Sequence, residues 1–199
     1  FPLGSAWLPG SILTLHVFEP RYRALVRECM AAPEPEFGVV MIERGREVGG
    51  GDVRSDVGAV ARMLRVSETD DGRYAVIAGV GRRIKVHTWL PDNPYPCAEV
   101  HDWPDEPTGE VDPDLLQVVT ARVRRATALA MELGDPVSDP TTALSPDPMV
   151  ATFQLGGLAP LSDHDRHRLL CAGGAVERLV LLAELLDTVE DVLAFRLQD

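Results

Sequence analysis

The sequence predicts an α+β fold with strands first and helices last, on three observations. Up to His101 the apolar residues fall in short runs or alternate with polar ones, the pattern of buried and half-buried strands, with one helical stretch among them. Around residues 105–111 the chain turns acidic and proline-rich, and this marks a boundary. From Asp112 onward the apolar residues recur at spacings of three and four, as on the buried stripe of a helix. We therefore read residues 1–107 as a β subdomain and 108–199 as a helical-bundle subdomain.

The strands come in order. Residues 1–3 and 12–17 are short strands separated by the turn signal Pro9-Gly10, and they open a barrel or a sandwich. The second runs through Phe18 and Glu19 into Pro20, which suits a first helical turn because its missing N–H needs no partner there. Tyr22, Leu25, Val26, Cys29 and Met30 then line one helical face. Residues 37–42 (FGVVMI) form a buried strand, and 45–51 a flexible glycine loop closing at Asp52. Strands at 57–66 and 73–80 flank the hairpin turn Asp70-Asp71-Gly72. Gly79-Val80-Gly81 reads as a tight bend before the alternating strand 83–87, and 95–101 is the last strand.

The helices follow. Asp112 as N-cap with Pro113 starts one whose stripe is Leu116, Val119, Val123, Ala126, Ala130 and Leu133, stopped at Gly134. Ser145-Pro146 opens a short helix carrying Met149, Val150 and Phe153, ended by Gly156-Gly157. Ser162 with Asp165 three residues later is a variant capping box for a helix through Cys171, which Gly173-Gly174 breaks. Residues 175–198 form a long helix that is apolar on two sides, so several neighbours should clasp it.

Composition excludes several classes. Hydrophobic residues make up 45% of 199, enough for a core without staples. No apolar run approaches the roughly 18 to 20 residues that cross a bilayer, and residues 1–10 lack a signal peptide's basic flank. We expect a cytoplasmic protein without a membrane partner. Cys29, Cys97 and Cys171 form no CxxC pair and read as small buried apolar residues in a reducing compartment. A net charge of −12 argues against nucleic acid as a partner.

Phe1-Pro2-Leu3-Gly4, Pro9-Gly10 and the stretch Leu15-His16-Val17-Phe18-Glu19-Pro20-Arg21-Tyr22-Arg23 resemble the start of the Lon protease N-terminal (substrate-binding) domain family. Later residues continue the resemblance in order: Ala159-Pro160-Leu161, Asp163, Leu169-Leu170 and Glu177-Arg178-Leu179. It is closest to free-standing bacterial members that lack the ATPase and protease. The resemblance implies a PUA-like, mostly antiparallel β-barrel with an inserted helix, followed by a helical bundle. It also implies a non-catalytic module that recognises peptide or partially unfolded protein, alone or for a separate protease or chaperone. The sequence holds no GxxxxGK[ST] loop and no serine-lysine pair suited to peptide cleavage, so ATP-driven and proteolytic activities are not carried over. No cofactor and no metal is expected.

For a peptide groove the strand-to-helix corner is the first candidate. Phe18 and Tyr22 offer apolar area there, and Arg21 offers donors to carbonyls or carboxylates. Glu19 stands beside them, and the plainer role for it is an ion pair or a favourable charge at a helix start. Trp89, beside a proline-rich turn, serves either as a ligand anchor or as a lid over the barrel end, as do Trp7 and Trp103. The competing class is a hydrolase or metal-dependent enzyme using His16, His164 or His167. For the last two no third ligand is identifiable, and the neighbours Ser162, Asp163 and His164 cannot converge as a triad. Gly49-Gly50-Gly51-Asp52 lacks the helix or lysine a phosphate cradle needs. An RNA-binding barrel, by analogy with PUA relatives, is disfavoured by the charge.

Overall fold

Alternation along ILTLHV becomes a strand that buries Leu13, Leu15 and Val17 on one face, and Pro20 then starts the helix expected after it. The computed structural model describes residues 1–45, 51–107 and 109–198. The expected loop at 45–51, with Gly49 and Gly50, lies mostly outside the described residues. The chain divides into two compact units, Phe1–Pro104 and Asp105–Asp199.

In the first unit the elements run β1 (Pro2–Leu3), β2 (Ile12–Val17), α1 (Pro20–Ala31), β3 (Glu36–Arg44), β4 (Val53–Glu68), β5 (Tyr74–Leu90) and β6 (Cys97–Asp102). All six strands share one sheet in the order β1-β3-β4-β5-β2, with β6 also paired to β5, and only the β1–β3 pairing is parallel. The first half of β5 pairs with β2 (Val17↔Tyr74 to Ile12↔Gly79), and its second half pairs with β6 (Ile84↔Asp102 to Leu90↔Cys97). The expected closed barrel is not formed. Among the described residues no ladder joins β1 to β6, so the sheet stays open.

Two long strands replace what the sequence suggested were shorter ones. The bend expected at Gly79-Val80-Gly81 is absent: β5 is continuous, Gly79 stays in register with Arg62, and a bulge follows between Val80 and Arg83, which face Ala61 and Ala59 of β4. One extra residue twists the strand without ending it. The hairpin between β4 and β5 turns at Gly72, whose φ of 76° is the left-handed conformation glycine supplies. Gly58 is needed for a different reason: a Cβ there would overlap the Val39 carbonyl oxygen and stand 2.7 Å from Val40 Cγ1. The core joins Tyr22, Leu25 and Val26 of α1 to the sheet residues Leu13, Val39, Ala59, Ala61, Val76 and Ala78.

The second unit holds α2 (Pro113–Glu132), α3 (Pro148–Leu158), α4 (Asp163–Cys171) and α5 (Ala175–Arg196). Caps expected from the sequence are present: Asp112 accepts the Asp114 N–H at 2.9 Å, and Ser162 Oγ accepts the Asp165 N–H at 3.1 Å. α3 departs from expectation at both ends. It starts at Pro148 under an Asp147 cap, and it continues through Gly156-Gly157 to stop at Ala159. Pro160 disfavours helical geometry in that preceding residue. Buried Gly156 stays helical because packing outweighs its roughly 1 kcal/mol propensity cost.

Leu179, Leu182, Leu186 and Leu193 of α5 are buried, whereas Val192 and Phe195 are exposed, so of the two apolar sides expected to be clasped one is covered along the helix and the other is open in its last turns. Arg122 ties α2 to α5 through Asp187 (2.6 Å) and Glu190 (2.8 Å). Arg178, fully enclosed, donates to Asp105 (2.6 Å) and Thr152 (2.8 Å) and lies 3.3 Å from the Phe153 ring centroid. No helix among the described residues is long and apolar enough to cross a membrane.

Candidate functional site

An apolar cavity of about 370 Å³ opens in the first unit. Val40 of β3, Val60 of β4, and Ile84 and Val86 of β5 line it from the sheet, and Leu25 and Cys29 from α1. Gly38 keeps space open beside Ile84, since a Cβ there would come within 3.2 Å of Ile84 Cδ1. Trp89, Tyr95, Cys97, Ala98 and Val100 complete the wall, and Val100 is 47% exposed.

Phe1 is held at this cavity by backbone pairing with β3, the Val40 N–H donating to the Phe1 carbonyl at 3.3 Å. Its ring stacks on Tyr22 with centroids 4.1 Å apart. Tyr22 is itself buried, which pushes its phenol up to about 12. The Arg21 guanidinium lies 4.5 Å from the same ring and bonds Glu19 at 3.1 Å. Three of the residues singled out in the sequence, Glu19, Arg21 and Tyr22, thus stand together, with Tyr22 behind a cavity wall and not on its surface.

Trp89 lines the cavity directly. Its indole N–H donates to Asp56 at 3.3 Å, and Arg54, paired with Asp52 at 2.6 Å, sits 4.9 Å from its ring. Phe18 is elsewhere. It is 53% exposed and lines a second depression of about 560 Å³ with His16, Asp70, Asp71 and Tyr74. The strand-to-helix corner therefore does not form one groove with all five residues.

Polar groups fix the rim. Arg82 bridges Glu36 of β3 (2.6 Å) and Asp102 of β6 (2.9 Å), and its hydrogen bond holds the Glu36 carboxyl below the usual carboxylate range. Tyr95 donates its hydroxyl to Glu28 at 2.5 Å; burial first, and that bond second, raise its phenol above the ordinary value. Cys29 and Cys97 are half-buried, not enclosed as the sequence suggested. Their thiols point to the carbonyls of Glu36 (3.3 Å) and Tyr95 (3.4 Å), and burial pushes the Cys29 thiol up, away from thiolate reactivity.

Elsewhere the polar residues are committed to local structure. Ser162 caps α4, Asp163 and Asp165 pair with Arg166 and Arg168, and the His167 ring lies 3.7 Å from Cys171 Sγ. Among the described residues no group of three His, Cys, Asp or Glu side chains is placed to hold a metal ion.

An apolar cavity on an open sheet, its rim bridged by Arg82, is the setting for the comparison with known proteins. The family model for the ATP-dependent protease La (LON) substrate-binding domain matches residues 1–188. The chain belongs to this family. A crystal structure of a Lon N-terminal domain protein from Xanthomonas campestris superposes with a TM-score of 0.69 at 26% identity, covering 92% of this chain and 95% of that one. The N-terminal domain of Mycobacterium avium complex Lon protease shares the fold, with a TM-score of 0.60, 18% identity and coverage of 94% and 96%. No curated protein matches significantly. A Lon substrate-binding domain thus carries the cavity. Sequence reasoning missed most of its wall because Val40, Val60, Val86 and Val100 come from four different strands. The local signals were alternation, of Ile84 and Val86 in residues 83–87 and of Ala98 and Val100 in the last strand.

Proposed function

We propose that this chain is a non-catalytic recognition module that takes up exposed peptide or partially unfolded protein, with the cavity of the first unit receiving apolar side chains. The observation that carries this reading is an open apolar cavity of about 370 Å³, within the range of ligand sites, in a domain of a substrate-binding family. Burying one leucine or phenylalanine side chain there contributes about 1.5 to 3 kcal/mol, so one pocket holds a client weakly and releases it. That suits a module handing clients to a separate protease or chaperone.

In this reading Trp89 touches the client, while Tyr22, Arg21 and Glu19 act through Phe1 by holding its ring at the cavity wall. Phe18 offers a second apolar contact in its own depression. No cofactor or metal takes part, and the charge of −12 disfavours nucleic acid as the client. The test is fluorescence anisotropy of a labelled, reduced and S-carboxymethylated protein, which cannot refold, against the same protein in native form. Binding of the unfolded form alone, weakened about tenfold by Val100→Asp, supports the reading. Equal binding of both forms, or none, overturns it.

A further inference from the structure

We propose that the client enters as an added β-strand along the outer edge of β6. This rests on the recognition reading above and names how the cavity is filled. β6 pairs with β5 on one side and, among the described residues, with no strand on the other. The Trp103 N–H donates to the Arg83 carbonyl at 2.9 Å, next to the register pairs Ile84↔Asp102, Lys85↔His101 and Val86↔Val100. In an antiparallel ladder hydrogen-bonded residues alternate with outward-facing ones. Trp103 and His101 therefore bond to β5, and Asp102 and Val100 turn their N–H and C=O groups outward.

Val100 thus does two things at once: its side chain lines the cavity mouth and its main chain offers a donor and an acceptor beside it. Phe1, Gly38 and Val40 of the β1 and β3 side form the far wall of the same cavity, and Arg82 bridges Glu36 at the start of β3 and Asp102 at the end of β6. An extended segment lying in this gap pairs its main chain with β6 and sends every second side chain into the cavity. The edge CAEVHD holds neither lysine nor proline, and its charges, Glu99 and Asp102, are both acidic, so they repel acidic strands and leave the edge open to a basic one.

Charge selects the occupant. Residues 86–121 contain no lysine or arginine, and Glu99 is exposed on β6 between the cavity-lining Ala98 and Val100. The fitting segment alternates apolar residues, facing the cavity, with basic ones facing Glu99.

The probe is a blocked heptapeptide of alternating lysine and valine, made in two further forms that carry N-methyl groups on complementary alternate amides. Strand addition predicts that one methylated form binds at least about tenfold more weakly while the other binds as the parent does. On the protein side, Val100→Pro removes an outward N–H without removing a β5 bond, and Val100→Ala keeps it. The proline variant is expected to bind about tenfold more weakly than the alanine variant, with an unchanged circular dichroism spectrum. Should Val100→Pro fail to fold, the methylated peptides alone decide.

Equal loss from both methylated forms, or no binding of the parent peptide, overturns strand addition. In that case weaker uptake of unfolded protein by Val100→Asp leaves the recognition reading standing, and unchanged uptake removes both. Self-association abolished by Val100→Pro, with peptide binding intact, also overturns the proposal by assigning the edge to a second copy of this chain.

Discussion

Replacing Arg178 with methionine tests the packing of the helical unit. The side chain is fully buried, bonded to Asp105 at 2.6 Å and Thr152 at 2.8 Å, and set 3.3 Å from the Phe153 ring centroid. Methionine keeps much of the stem, so the cavity term is small, and what is lost is the cation facing a carboxylate that is 9% exposed. Removing one partner of a buried ion pair costs about 3 to 5 kcal/mol. Taking the lower figure and a urea slope of about 2 kcal/mol per molar, the midpoint falls by about 1.5 M. The readout is far-ultraviolet circular dichroism, which follows the helices. Because two units can unfold separately, only the helical transition is scored. Adding Asp105→Asn to Arg178→Met should recover part of the loss. A shift under about 0.5 M, or no recovery in the double variant, refutes the argument.

Other perturbations follow from the same structure. Gly58→Ala drives a methyl into the Val39 carbonyl and should lower stability by about 3 kcal/mol, seen as a lower thermal midpoint for the first unit. Ser162→Ala removes the α4 cap and the hydroxyl's bond to the Asp165 carboxylate and should cost about 1 kcal/mol in urea titration, with Ser162→Thr close to the parent. Acid should destabilise the fold through Glu36 and Glu190, whose carboxyls the Arg82 and Arg122 hydrogen bonds hold below their ordinary values. That stability is present above the unfolded value of about 4.3 and is lost as pH falls through the folded values, so urea midpoints drop below about pH 4. Arg122→Ala should make that drop shallower.

Much of the fold is legible because local chemistry and tertiary structure agree. Pro20 after an alternating strand, Asp112-Pro113, Ser162 with Asp165, and Asp70-Asp71-Gly72 each satisfy backbone groups within a few residues, so each can be read in place. The misreadings occur where a distant partner decides. Gly79 and Gly81 read as a bend, and only pairing with β4 keeps the strand continuous, with a bulge just after Val80. Gly156-Gly157 resembles a helix stop until close packing holds it helical. Arg178 looks like an ordinary charge on a helix, and the residue that makes its burial tolerable lies 73 positions earlier. The cavity follows the same rule. Trp89 could be named from its turn, but Tyr22 is buried because Phe1, far along the chain, stacks upon it. Phe18 shares the corner in sequence and faces another depression in space.

In the proposed reading the open sheet of the first unit grips unfolded polypeptide. Amide hydrogen exchange of the chain with and without a reduced, S-carboxymethylated client tests it most directly, because bound main chain slows exchange where it is covered. Slowing should concentrate in peptides spanning residues 36–40 and 89–102, with the α2 to α5 helices unchanged. Slowing confined to those helices, or none at saturating client, would contradict it.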